Sequence, residues 1–224
     1  IVQTVDQAAA ALARQGWKTG QRAAELLPDG ANILTHCFPD RSYAYMLMEA
    51  RKAGKKLNIY CSETRPYLQG TRLTSLCAVQ AGFNTTLITD SMGGYLMRRG
   101  QIDAFITAAD RVCMDGTVCN KIGTYQYALA AKSNGLPYYA LRQSGPDTES
   151  HDETDVEVEL RNGDALLHAC GERIAPEGVQ GLYPAFDITP PDLVAAIVTD
   201  RGIFKSGEIR KYPDATPFVN NSIL

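Results

Sequence analysis

Beyond residue 30 the chain alternates short apolar runs with longer amphipathic stretches. The apolar runs lie at 32–37 (NILTHC), 57–61 (LNIYC), 85–89 (TTLIT), 102–108 (IDAFITA) and 137–141 (PYYAL). Between them, helical patterns occupy 42–53, 71–81, 91–99 and 122–133. The runs are nearly continuous rather than alternating, as burial on both faces of a sheet requires. Strand and helix alternating at this spacing predict a doubly wound α/β domain over 31–224: a mostly parallel, Rossmann-like sheet with helices on both faces. Residues 1–30 predict a helical lead-in. Its Ala-rich stretch 7–15 ends at Gly16, and a short helix over 20–27 closes at the Pro28-Asp29-Gly30 turn. Near the other end, Thr189 followed by two prolines predicts a helix start before DLVAAIVTD (192–200), with Gly202 as its stop. Residues 147–159 hold seven acidic side chains, which predicts a solvated loop running into an exposed strand.

In an open parallel sheet, ligands bind beyond the carboxyl ends of the strands, where loops diverge and helix N-termini point their N–H groups outward. His36, Cys37 and Asp40 follow the first run; Glu63, Thr64, Arg65 and Gln69 follow the second. Asp90 follows the third, and Asp110 and Arg111 the fourth, with Asn120 and Lys121 expected to open the next helix. The pattern therefore gathers these side chains at one sheet edge. Cys37 is either a small buried hydrophobe or, in an electropositive setting, a reactive thiolate. Asp110 is either a loop cap paired with a cation or an acid whose pKa an apolar wall raises. Strand alternation turns His36 away from Cys37, so the two are not read as a nucleophile pair.

Composition narrows the field. The 224 residues are 45% hydrophobic and 21% charged, with 22 basic against 25 acidic side chains, a net charge of −3. That balance argues against a dedicated nucleic-acid binder. No apolar run approaches the roughly 20 residues that cross a bilayer. The six cysteines contain no C-x-x-C pair, which predicts free thiols, no metal site and a cytoplasmic setting. Neither G-x-G-x-x-G nor G-x-x-x-x-G-K-[ST] occurs, so a dinucleotide or nucleoside-triphosphate cradle is not expected.

The strings ILTHC (33–37), ETRPYLQGTRLT (63–74), AADRVCMDGTVCNKIGTY (108–125) and YPAFDITPPDLVAAIVTDRG (183–202) resemble those of the methylthioribose-1-phosphate isomerases. That family shares its fold with regulatory subunits of the translation-initiation guanine exchange factor. The resemblance implies that Cys37 and Asp110 form the catalytic pair and that Gln69, Asn120 and Lys121 bind a sugar phosphate. It implies conversion of an aldose 1-phosphate to the ketose 1-phosphate in methionine salvage, without metal or organic cofactor, by a homodimer. Asp110 would protonate the ring oxygen, while Cys37 either abstracts a proton or stabilises charge during a hydride shift. Phe38-Pro39-Asp40 stands where the family has Asn, a small residue and Gly, and Ala108 and Thr117 replace Gly and Asp. The expected substrate is thus 5-methylthioribose 1-phosphate or an analogue such as a 5-deoxypentose 1-phosphate. The resemblance also implies an N-terminal helical domain that residues 1–30 would end. The alternative function is a non-catalytic exchange-factor-type subunit binding a nucleotide or sugar phosphate.

Overall fold

The structure, a computed structural model, describes residues 2–214; residue 1 and the last ten residues of the domain expected over 31–224 lie outside it. In chain order its helices are α1 (Val2–Leu26), α2 (Asp40–Lys52), α3 (Ser75–Gln80), α4 (Gly93–Arg98) and α5 (Thr124–Ser133). Its first strands are β1 (Asn32–Thr35), β2 (Asn58–Ser62), β3 (Asn84–Ile88), β4 (Ala104–Ala108), β5 (Arg111–Val112), β6 (Val118–Lys121) and β7 (Tyr138–Leu141). Short strands follow: β8 (Leu160–Arg161), β9 (His168–Ala169), β10 (Glu172–Arg173), β11 (Tyr183–Pro184), β12 (Phe186–Thr189), β13 (Ala196–Val198) and β14 (Ile203–Phe204).

Seven strands form the central sheet in the order β14-β13-β7-β4-β1-β2-β3. Every pair is parallel except β13 with β14. The chain winds outward from β1 to β3, then crosses back to β4 on the other side of β1. The order therefore reverses between β1 and β4, and such a reversal opens a crevice at the strands' carboxyl ends. β5, β6 and β12 make a separate antiparallel sheet beyond those ends.

Alternate residues of each strand feed two cores, as the period of two demands. Ile33 and Ile106 pack with Ala23, Tyr43, Leu47 and Ala78 from α1, α2 and α3. Leu34 and Phe105 face the other way, onto Met97, Tyr127 and Ala131 of α4 and α5. This is the α/β fold with helices on both faces that the sequence predicts.

Two elements differ from expectation. Gly16 does not end the first helix: α1 runs unbroken to Leu26. A Cβ on Gly20 would lie 2.6 Å from the backbone N of Met46 and O of Ser42, and one on Gly16 2.7 Å from Arg41 Cγ. The two glycines, four apart on one helix face, let α1 lie against α2 and act as contact points rather than stops. The second difference is 192–200, which holds a short 3₁₀ turn, Pro191–Leu193, and then strand β13. Ile197 and Val198 are wholly buried beside β7. An apolar run this short, rich in β-branched residues, fits a buried strand better than a surface helix, and the two prolines cap only the turn. The acidic stretch is a solvated loop that leads into β8.

Phe105 is wholly buried and stacks on Tyr138, with ring centroids 4.7 Å apart. Phe105→Ala is expected to lower the unfolding free energy by about 3–5 kcal/mol, because the surrounding β-strands cannot collapse into the void. Urea denaturation followed by circular dichroism measures it.

Candidate active site

At the switch point the chain enters conformations that ordinary strands avoid. Cys37, Asp40, Thr64 and Leu68 all have left-handed backbones, with φ of 62°, 59°, 62° and 59°. For a β-branched threonine that is a genuine outlier, and each such residue costs of order 1–3 kcal/mol. Hydrogen bonds hold the corners. Asp90, just past β3, accepts the backbone N–H groups of Thr64 (2.8 Å) and Arg65 (2.7 Å) on its two carboxylate oxygens. Thr64 Oγ1 accepts the Cys37 N–H at 2.9 Å, and Thr74 Oγ1 donates to the Cys37 carbonyl. The segment Gly70–Thr74 is a π-helical turn, a form that recurs at functional sites. A Cβ on Gly70 would lie 1.7 Å from the Ser62 carbonyl oxygen, so only glycine lets this turn close on β2.

These corners border a cleft of about 370 Å³. Cys37, Gln69, Asp110, Asn120 and Lys121 all line it, so the five residues singled out in the sequence come together. Asn120 and Lys121, however, belong to strand β6 and not to a helix start. Residues 118–121 pair antiparallel with β12, setting Lys121 opposite Phe186 and Asn120 opposite Asp187. Helix α5 begins later, after Gly123, whose φ of 103° makes the bend. Asp40 joins the lining, with Phe38, Ala108 and Ala109 as its less polar wall.

Three further lining residues were not singled out in the sequence: Arg142, Arg161 and Phe186. Arg142 directly follows β7 and was within reach of the same strand-end rule. Its guanidinium donates to the carbonyls of Ala109 (3.3 Å), Asp110 (3.0 Å) and Gly145 (3.1 Å), fixing the loop that carries Asp110. Arg161 comes from β8 and forms two 2.9 Å bonds to Glu159. It also lies over the rings of Tyr67 (5.6 Å) and Phe186 (5.5 Å).

Charge in the cleft is set by burial first. Lys121 is only 4% exposed, and its ammonium donates to the Ala185 carbonyl at 2.9 Å and sits 4.4 Å from the Phe186 ring centre. Burial lowers its pKa, with Cys37 and Asp110 pulling it back up. Burial raises the Cys37 thiol, and the nearby Asp110 carboxylate adds to this. The Phe38 N–H, Lys121 and the Gln69 amide act in the opposite direction. Burial prevails, so the setting favours thiol over thiolate at neutral pH. Asp110 has an open face on the cleft, yet the protein crowded around it raises its pKa, against Lys121, Arg142 and Arg161. Asp40 is raised for the same reason. Gln69 Oε1 is buried with no hydrogen-bond partner among the described residues, so an acceptor awaits a donor from a ligand. Among the described residues no group of His, Cys, Asp and Glu has a geometry that could hold a metal ion, and no helix is long and apolar enough to cross a membrane.

Two outcomes follow from this electrostatics. Iodoacetamide should label Cys37 slowly at pH 7 and far faster above pH 9, read by peptide mass spectrometry, with exposed Cys170 as the fast internal control. Asp187, behind Asn120, accepts the N–H groups of Gly123 (2.6 Å) and Tyr125 (3.2 Å), but burial carries its pKa up to about 6. Its folded pKa exceeds the unfolded value near 3.9, so the folded state holds the proton longer. That contribution to stability is complete below about pH 4 and is lost as pH rises through 6. Asp187→Asn should flatten the stability profile between pH 4 and 6, measured by thermal denaturation.

The chain was compared with known proteins. It is 43% identical over 196 residues to a methylthioribose-1-phosphate isomerase of Thermotoga neapolitana, covering 83% of this chain and 57% of that protein. It is 43% identical over 189 residues to one from Pelotomaculum thermopropionicum, covering 81% and 52%. The chain thus spans a little over half the length of these relatives. Among solved structures, subunit delta of the translation initiation factor eIF-2B from A. fulgidus superposes with a TM-score of 0.83 at 36% identity, covering 90% of this chain and 61% of that one. The 5-methylthioribose 1-phosphate isomerase of Pyrococcus horikoshii OT3 superposes with a TM-score of 0.80 at 36% identity, covering 88% and 57%. The family model described as the initiation factor 2 subunit family matches residues 1–206, and the chain belongs to that family.

Proposed function

We propose that this chain is an aldose–ketose isomerase acting on a sugar 1-phosphate: 5-methylthioribose 1-phosphate or a close analogue such as a 5-deoxypentose 1-phosphate. The observation that carries the reading is the meeting of Cys37 and Asp110 in one cleft with Gln69, Asn120 and Lys121. Relatives bearing the methylthioribose-1-phosphate isomerase name support the substrate class.

The reaction must open a ring whose anomeric carbon carries phosphate. Asp110, its pKa raised, gives a proton to the ring oxygen as the bond from that oxygen to C1 breaks. The hydrogen on C2 then moves with its electron pair to C1. The C2 hydroxyl becomes a carbonyl, and its proton returns to the Asp110 carboxylate. One hydrogen has moved from C2 to C1 and one proton from the C2 hydroxyl to the former ring oxygen, so the enzyme ends as it began. A half-buried, protonated Cys37 suits this hydride route: its polarisable sulfur stabilises developing charge without serving as a base. Lys121 and Asn120 hold the phosphate, and Gln69 Oε1 accepts a hydrogen bond from a sugar hydroxyl.

Cys37→Ser and Asp110→Asn should each lower turnover of a pentose 1-phosphate panel at least about 10³-fold, followed by phosphorus NMR. In deuterated water the ketose should carry no solvent deuterium at C1. Deuterium there would replace the hydride route with proton abstraction. Unaltered turnover in either variant would refute the roles given to these residues. A wild-type protein silent across the panel would favour the second reading, a non-catalytic subunit, to which the eIF-2B superposition lends support.

A further inference from the structure

The sequence sets His36 apart from Cys37, and the structure gives it separate work. It is 1% exposed, and both ring nitrogens are bonded. Nε2 lies 2.8 Å from the Ile122 carbonyl and Nδ1 lies 2.5 Å from Ser62 Oγ. A carbonyl only accepts, so Nε2 carries the proton and Nδ1 accepts from the Ser62 hydroxyl. Each partner belongs to a segment that supplies the cleft. Ile122 follows Lys121 directly. Ser62 ends β2, and Thr64, two residues on, holds the Cys37 N–H. His36 itself precedes Cys37. The ring also fills the space against Gly123, where a Cβ would lie 3.0 Å from Nε2, and meets the Tyr127 ring edge-on at 5.4 Å.

We propose that His36 is a positioning residue: the hydrogen bond from its Nε2 to the Ile122 carbonyl sets the distance between the Cys37 thiol and the Lys121 ammonium. Cys37 follows β1 of the parallel sheet and Lys121 ends β6 of the separate antiparallel one, and β1 and β6 are not hydrogen-bonded to each other. His36 is a direct link between those two segments. A leucine or phenylalanine of similar bulk would fill the space and leave the carbonyl without its donor. The charged and titratable groups facing the ring are Asp90, whose Oδ1 is 3.9 Å from Nδ1, Lys121 and Tyr127. Burial keeps the imidazole neutral, so the link does not depend on a charge.

Two near-isosteric amides separate the ring's two bonds. The amide nitrogen of His36→Gln can occupy the place of Nε2 and keep the donor to Ile122; that of His36→Asn occupies the place of Nδ1 and loses it. The readout is iodoacetamide labelling of Cys37 in the full chain, taken as the rate at pH 8 divided by the high-pH plateau, which removes changes in access. Losing the neighbouring ammonium makes the thiol harder to ionise, so this ratio should fall about fivefold in His36→Asn and less than twofold in His36→Gln. A folded His36→Asn with the wild-type ratio, or a His36→Gln ratio that falls as far as that of His36→Asn, overturns the inference. Should His36→Asn not fold, His36→Leu takes its place: a ratio that falls about fivefold supports the link, and a ratio within twofold of wild type refutes it. Turnover is a separate arm resting on the isomerase reading, in which His36→Asn lowers kcat about 10²-fold with KM little changed. An inactive wild type removes that reading and leaves the labelling ratio to decide this one.

Discussion

The cleft depends on strained backbone held in place by a carboxylate. Four left-handed residues in the connections that follow β1 and β2 would relax if nothing held them, and Cys37 is one of the four while Gln69 directly follows another. Asp90 prevents this by accepting two successive N–H groups at the Thr64 corner, and the Thr64 hydroxyl passes the constraint to Cys37. Each such bond is worth about 1 kcal/mol, so two of them on one side chain offset strain of this order. The β2–β3 pairing brings Asp90 to this spot, so sheet register and site geometry are one constraint.

The same economy governs the cations. Lys121, Arg142 and Arg161 could have repelled one another across a small cleft. Each is instead committed to protein acceptors: Lys121 to a carbonyl, Arg142 to three carbonyls, Arg161 to Glu159. Fixed donors keep their positive potential while losing little freedom when an anion arrives. Two carboxyl groups with raised pKa, Asp40 and Asp110, complete a pocket whose charge balance shifts with few protons.

How much of this was legible from the residues follows from how far each signal reaches. The parallel strands β1, β2, β4 and β7 stand out because burial leaves a local trace, whereas β3, an edge strand exposed over most of its length, shows only as a short run of threonine, leucine and isoleucine. Cys37, Gln69 and Asp110 come from strand ends or the loop just beyond one, so topology alone placed them. Gly16 misled because a glycine that ends a helix and one that admits a neighbouring helix look alike until the neighbour is known. Residues 192–200 misled because Thr-Pro-Pro is a good helix start, while the partner that makes β13 a strand lies 57 positions earlier at β7. Asn120 and Lys121 were assigned to the right cleft on the wrong element, since the β6–β12 pairing joins residues more than 60 apart. Arg161 had no local signal: a single cation after an acidic loop reads as surface until Phe186 and Tyr67 close over it.

The two rims of the central sheet are not equivalent. On one side β14, two residues long and running against its neighbour, ends the hydrogen-bonding ladder. On the other, β3 presents five residues whose outer backbone groups have no strand beside them among the described residues, with Leu87 half exposed. Short reversed strands discourage further pairing, whereas a longer straight one invites it. Any lateral extension of this sheet by a visiting peptide would therefore proceed from the β3 side alone, growing away from the crevice.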